Sequence, residues 1–348
     1  MPSPVIRTAK GPLVLLFYDG YEWRARRGFF AAGAAQARRL TRYGYRTLRG
    51  KQVHTGFYTA FLALRTALER NGCDVRVNDF ATALAHPNYP VGIGGYPSVL
   101  NAVALPNPVV FGPGDFGVPA DAVAVAASSR IQILIQPSDW FRDYYRSSCG
   151  EKVVTWYAGI DAARWTDQSS YPKSVDVLIY DKIRWYRDDR VAAVRDRLIQ
   201  HLTGQGLSWA LLRYGHHHQQ MFVEALQSAR SMAFLCEHET QGLAYQEALA
   251  SGVPVFAWDD GEFVDPVLKS DAPPGLKVSS VPYFDERCGR RFVLARMEVE
   301  FDSFWSALDQ FRPRDYVLEA LSMEKSAQAY LELYARAGSL AGFNSHCP

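Results

Sequence analysis

Glu239 and Glu247 are separated by seven residues inside the run Glu237-His238-Glu239-Thr240-Gln241-Gly242-Leu243-Ala244-Tyr245-Gln246-Glu247-Ala248-Leu249-Ala250-Ser251-Gly252-Val253-Pro254-Val255. The run reads as strand end, glycine-containing turn, helix, glycine stop and strand. The first N–H groups of a helix have no partner within it, and they hold anions. Two carboxylates beside such a helix start accept hydrogen bonds from hydroxyls. The combination suits a ligand built of diphosphate and sugar. Two other concentrations of chemistry occur. Between 24 and 51 stand nine cations (Arg24, Arg26, Arg27, Arg38, Arg39, Arg42, Arg46, Arg49 and Lys51) and no Asp or Glu. Tyr21, Trp23, Phe29, Phe30, Tyr43 and Tyr45 accompany them, a mixture that suits a sugar-stacking, anion-contacting or membrane-surface face. The plainer reading is a solvated helix over 31–40 carrying surface arginines. His216, His217 and His218 invite a metal reading. Adjacent helical positions point in different directions, however, and no Cys, Asp or Glu stands near them at ligand spacing, so a metal is not expected there.

Such groups must be positioned by a scaffold, and 348 residues suffice for two domains of ordinary size. Hydrophobic residues make up 48% and charged residues 21%, an ordinary globular balance. Because 38 basic residues nearly cancel 36 acidic ones, there is no whole-protein case for binding nucleic acid. The five cysteines, at 73, 149, 236, 288 and 347, show no Cys-x-x-Cys pair and read as free thiols of a reducing compartment. The apolar run 13–18 meets Asp19 at once and reads as a buried first strand. No segment approaches the ~18 apolar residues of a membrane span. A cytoplasmic location is expected, with peripheral membrane attachment through 24–51 left open.

Short apolar runs alternate with helical periodicities, which argues for parallel sheets covered by helices. In the first half, strands are expected over 13–18, around Val75 and Val77, and over 109–111, 131–135 and 153–157. A helix bearing Phe57, Phe61, Leu64 and Leu68 lies between the first two and stops at Asn71-Gly72. The polar stretch 166–173 is the best linker, so the expected domains are 1–165 and 166–348. Strands over 175–180, 209–213, 232–235 and 253–258 then alternate with helices near 188–203, 217–229 and 241–251. A long helix from about 315 to 337 closes the second domain. The predicted fold class is α/β, two Rossmann-like domains with a central cleft and ligands at the carboxyl ends of the strands.

The stretch 237–255 resembles the signature of the retaining glycosyltransferases with the GT-B fold (group 1, or family 4-like), which has Glu, seven residues, Glu, then Ala and a Gly-Val-Pro-Val strand. The resemblance implies that Glu239 lies beside the donor sugar and that Glu247 accepts hydrogen bonds from the ribose. Gln241, Gly242 and Leu243 would turn their amides toward sugar and phosphates. Val177-Leu178-Ile179-Tyr180-Asp181-Lys182-Ile183 resembles the family strand ending in Gly-Arg-Leu, with a Lys five residues beyond the Arg. Lys182 and Arg187 fall on those two cationic positions, with Lys for Arg and Asp181 for Gly. Neutralising the diphosphate is their implied task. Gly56 opens a turn and helix resembling the family's Gly-rich turn near the donor phosphates. Tyr214, Gly215 and His216 fall in the loop that meets the nucleotide base and phosphates, whereas His217 and His218 read as capping or surface residues.

The resemblance implies a hexosyltransferase-like enzyme of polysaccharide biosynthesis. Domain 166–348 would bind a nucleoside diphosphate sugar, domain 1–165 a glycan, lipid-linked or other acceptor, and transfer would proceed with retention. Lys182, Arg187 and the amides near Gly242 would stabilise the leaving diphosphate, so neither a metal nor another cofactor is expected. The alternatives are a GT-B epimerase or phosphorylase-like enzyme, and a nucleotide-sugar-binding module without turnover. A Rossmann dehydrogenase fits less well, because no Gly-x-Gly-x-x-Gly follows an early strand.

Overall fold

A computed structural model describes residues 6–20, 56–114 and 116–340, with Gly33, Ala37, Leu40, Thr41, Arg42, Gly44 and Tyr45 between them. The basic segment 24–51 therefore lies largely outside the described residues. Those residues form two compact units. One comprises the chain up to Gly159 together with that from Met323 onward, and the other is Ile160–Ser322.

In the first unit, β1 (Arg7–Thr8) lies antiparallel to β2 (Gly11–Tyr18). The strands β3 (Asp74–Val77), β4 (Val91–Gly95), β5 (Val109–Gly114), β6 (Ile131–Gln136) and β7 (Val153–Thr155) complete a parallel sheet in the order β3-β2-β4-β5-β6-β7. The buried face of helix Gly56–Arg70 is formed by Tyr58, Phe61, Leu64 and Leu68, spaced three and four apart as an amphipathic helix requires. β4, which the sequence reading did not anticipate, is the glycine-rich Val91-Gly92-Ile93-Gly94-Gly95. A Cβ on Gly92 would sit 2.0 Å from the hydroxyl of Tyr330, so close packing excludes a side chain there.

Tyr330 belongs to the terminal helix, whose placement departs from expectation. In place of one helix over 315–337 in the second domain there are two, Pro313–Ala320 and Met323–Leu340. The break falls where the Ile160 N–H donates to Leu321 O at 2.9 Å. Beyond it the chain returns to the first unit. The buried Tyr334 hydroxyl accepts from the Leu15 N–H at 3.0 Å and donates to Pro90 O, while Trp156 Nε1 donates to Ser326 O at 2.8 Å. The expected domain 166–348 is thus not contiguous, and the units divide at 159/160 rather than 165/166.

The second unit is a five-stranded parallel sheet of β8 (Val175–Asp181), β9 (Trp209–Arg213), β10 (Ala229–Leu235), β11 (Val255–Trp258) and β12 (Gly289–Phe292). Their order is β12-β11-β10-β8-β9. The chain runs from β8 outward to β9 and then crosses back to β10, so the winding reverses between β8 and β10. On one face Val177, Ile179, Leu198, Leu202, Phe256, Phe301 and Phe304 form the buried core, and Phe256 stacks on Phe292 with ring centroids 4.3 Å apart. Cys73, Cys149, Cys236 and Cys288 are buried free thiols. Among the described residues no helix is long and apolar enough to cross a membrane.

Candidate active site

In a doubly wound sheet, ligands gather outside the carboxyl ends of the strands where the winding reverses. In the second unit that point is the shared end of β8 and β10, where Asp181 is in register with Leu235. The next amide, that of Lys182, donates to Leu235 O at 2.9 Å and carries its side chain past the end of the sheet. Glu239 follows β10, and its own amide is held by Ser279 O at 3.0 Å. The Lys182 ammonium and the Glu239 carboxylate form a buried ion pair, with side-chain exposures of 11% and 8%. Burial alone would lower the Lys182 pKa, but the neighbouring acidic groups, Glu239 foremost, together turn the net shift upward. Tyr214, which follows β9, donates its N–H to Asp181 O at 2.9 Å and sets its ring 4.4 Å from the Lys182 ammonium.

Gly242 precedes helix Leu243–Ala250 in a left-handed conformation, φ 84°, and a Cβ there would sit 2.2 Å from the Tyr245 ring. Only glycine meets both demands. Gly242, in the capping position, brings no side chain to the first amides of this helix. Gln241 is buried, its side-chain amide donates to Gln246 Oε1 at 3.0 Å and its backbone carbonyl accepts from Gln246 Nε2 at 3.1 Å. Leu243 is half-buried in the first turn. Glu247 lies further along the same helix, also half-buried. Burial pushes its carboxyl up to about 8, with the Arg164 guanidinium pulling the other way. Tyr180, on β8, feels the Glu247 charge in turn.

Arg187 turns elsewhere. Its guanidinium grips the fully buried Asp181 through both nitrogens, at 2.5 and 2.8 Å, and donates to Ile183 O at 2.7 Å. Arg195, in a π-helical turn over Val191–Asp196, adds a bond to Asp181 at 3.2 Å. Asp181 is buried, yet these cations hold its pKa below the ordinary carboxylate range. The two cations assigned to the diphosphate thus differ: Lys182 meets Glu239, and Arg187 meets the residue that stands in place of the family's glycine.

His217 contacts the Tyr180 hydroxyl at 3.2 Å, and His218 caps helix Gln219–Ser228 by accepting from the Met221 N–H at 3.3 Å. His216, Tyr214 and Gly215 are exposed, and no metal-holding group of three His, Cys, Asp or Glu occurs among the described residues. Gly56 is the exposed first residue of its helix, with open space where a Cβ would stand. The sequence reading missed Glu237. Its buried carboxylate accepts from the amides of Arg184 and Trp185 at 3.1 to 3.2 Å and so ties the loop after Lys182 to the end of β10. An acidic residue directly following an apolar strand was its only sequence signal. Trp185 in turn stacks on His238, centroids 4.5 Å apart, and burial together with Arg184 drives the His238 pKa down to about 4.

Searches among protein families and among curated proteins find no match for this chain. Solved structures do match. A sucrose-phosphate synthase from Thermosynechococcus elongatus superposes with a TM-score of 0.55 at 11% identity, over 94% of this chain and 99% of that one. The chain has the GT-B fold. A glycosyltransferase from Rickettsia africae matches with a TM-score of 0.49 at 10% identity, over 93% of this chain and 98% of its own. TarM matches with a TM-score of 0.46 at 12% identity over 70% of this chain, which spans only 54% of TarM.

Proposed function

We propose that this GT-B protein is a glycosyltransferase that moves a hexose-like unit from a nucleoside diphosphate sugar to a glycan, lipid-linked or other acceptor, with retention at the anomeric carbon. The observation that carries the proposal is the convergence at the β8/β10 switch point of Lys182, Glu239 and the helix start at Gly242, with Glu247 further along the same helix. The fold likeness to a sucrose-phosphate synthase agrees with this class of reaction.

As the bond between sugar and diphosphate breaks, negative charge accumulates on the diphosphate. Lys182 and the amides after Gly242 stabilise that charge more than they stabilise the intact donor, which is the condition for accelerating the step. Glu239 accepts from sugar hydroxyls and Glu247 from the ribose, while Tyr214, Gly215 and His216 border the base. Arg187 acts through Asp181, fixing the strand end that presents Lys182. The acceptor is bound mainly by the first unit. Because Lys182 and the helix amides carry the leaving group, the reading calls for no metal.

Thermal-shift measurements against UDP, GDP, ADP and dTDP sugars test the reading, because a ligand of the native state raises the midpoint by mass action. One nucleotide series should stabilise the protein at sub-millimolar concentration. No shift with any of them would refute the assignment. Product analysis with the active donor would then separate transfer from epimerisation or phosphorolysis.

A further inference from the structure

The Lys182–Glu239 ion pair occupies the position that the proposed reading gives to the donor, and each side chain is the other's counter-ion. We propose that this pair discriminates the intact nucleotide sugar from the nucleoside diphosphate left after transfer, and so favours release of the spent product. The inference rests on the glycosyltransferase reading.

A diphosphate reaching Lys182 competes with Glu239 for one ammonium group. Both side chains are about nine-tenths buried, so neither is well compensated by water once the pair opens. A nucleotide sugar satisfies both: phosphate oxygens accept from Lys182, and sugar hydroxyls donate to Glu239. A nucleoside diphosphate brings the oxygens, one additional negative charge and no sugar hydroxyls. Two anions then contest the Lys182 ammonium, which raises the free energy of that complex. The Cys236 thiol, 3.4 Å from Glu239 Oε1, adds only a weak donor. Reclosing of the pair therefore opposes retention of the product.

Glu239→Gln tests this, since it keeps the side chain's shape and its acceptor for a sugar hydroxyl but removes the charge. Calorimetry would compare the nucleoside diphosphate with the nucleotide sugar that stabilises the wild type, in the absence of acceptor. The variant should bind the diphosphate about tenfold more tightly, with donor affinity changed less than about threefold, so that the wild-type preference shrinks about tenfold. Product inhibition should deepen in parallel. Unchanged or weaker diphosphate binding by the variant would overturn the proposal. Glu239→Asp keeps the charge on a shorter stem and should give an intermediate preference. Should the Gln variant not fold, tighter diphosphate binding by the Asp variant supports the inference, and unchanged or weaker binding overturns it. A wild type that binds neither ligand refutes the glycosyltransferase reading and this inference together, whereas normal binding with unaltered preference refutes the inference alone.

Discussion

If Glu247 receives the ribose hydroxyls, nucleotide affinity must depend on whether its carboxyl is ionised. The side chain is half-buried on helix Leu243–Ala250, and its pKa is pushed from an ordinary 4.5 up to about 8. Below that value the unliganded protein holds a neutral acid, which must lose its proton to accept from both hydroxyls. About one molecule in a hundred is ionised at pH 6 and about half at pH 8, so affinity should rise about fifty-fold between them, or about 2 kcal/mol. Partial solvent exposure makes this the upper end of the effect. The sign for stability is opposite. Because the folded state binds this proton more tightly than the unfolded chain, the unliganded protein loses stability as pH rises from about 4.5 through 8. Glu247→Gln should accordingly bind the donor with a flat pH profile and melt at a higher temperature than wild type at pH 8. Calorimetry with the nucleotide sugar from pH 6 to 8.5 is the decisive assay, since the intact donor has no phosphate ionising in that window. Wild-type affinity that is independent of pH, or a variant with the same slope, would refute the reasoning.

Gly242→Ala should destabilise the protein by at least about 1–2 kcal/mol and weaken nucleotide binding, because a left-handed alanine is strained and its methyl group meets the Tyr245 ring; an unaltered melting temperature would count against the described turn. Arg187→Gln removes one of two cations from buried Asp181 and should lower stability by about 3 kcal/mol in denaturant titration, with Arg187→Lys recovering only part since it cannot form the two-pronged contact. Tyr334→Phe strips the hydroxyl shared by Leu15 and Pro90 and should cost about 1–3 kcal/mol; no loss would contradict the docking of the terminal helix on the first sheet. Transfer activity is expected to survive EDTA, and abolition with rescue by magnesium or manganese would show that Lys182 and the helix amides do not suffice.

Much of the architecture was legible in the sequence because buried parallel strands are apolar along their length and glycines punctuate them. The strands at 13–18, 131–135 and 175–180 needed no knowledge of their neighbours, and the pattern from Glu239 to Gly252 marks turn, helix and stop by local chemistry alone. The helix of Phe57, Phe61, Leu64 and Leu68 was likewise fixed by its period. Other features were decided by residues distant in sequence. Gly92 of β4 stands where Tyr330 fills the space that a side chain would need, so part of that strand's hydrophobic signal was removed by a contact made more than two hundred residues away. The break at Leu321 depends on backbone pairing with Ile160, and the terminal helix returns to the first sheet because Tyr334 finds its partners at Leu15 and Pro90. The same holds for the candidate site. Residue types and spacing nominated Lys182, Arg187, Glu239 and Glu247, but only the sheet order places the ends of β8 and β10 side by side and lets Lys182 meet Glu239. Arg187 was diverted to Asp181, since a buried carboxylate at a strand end takes the nearest guanidinium, and no local pattern records that choice.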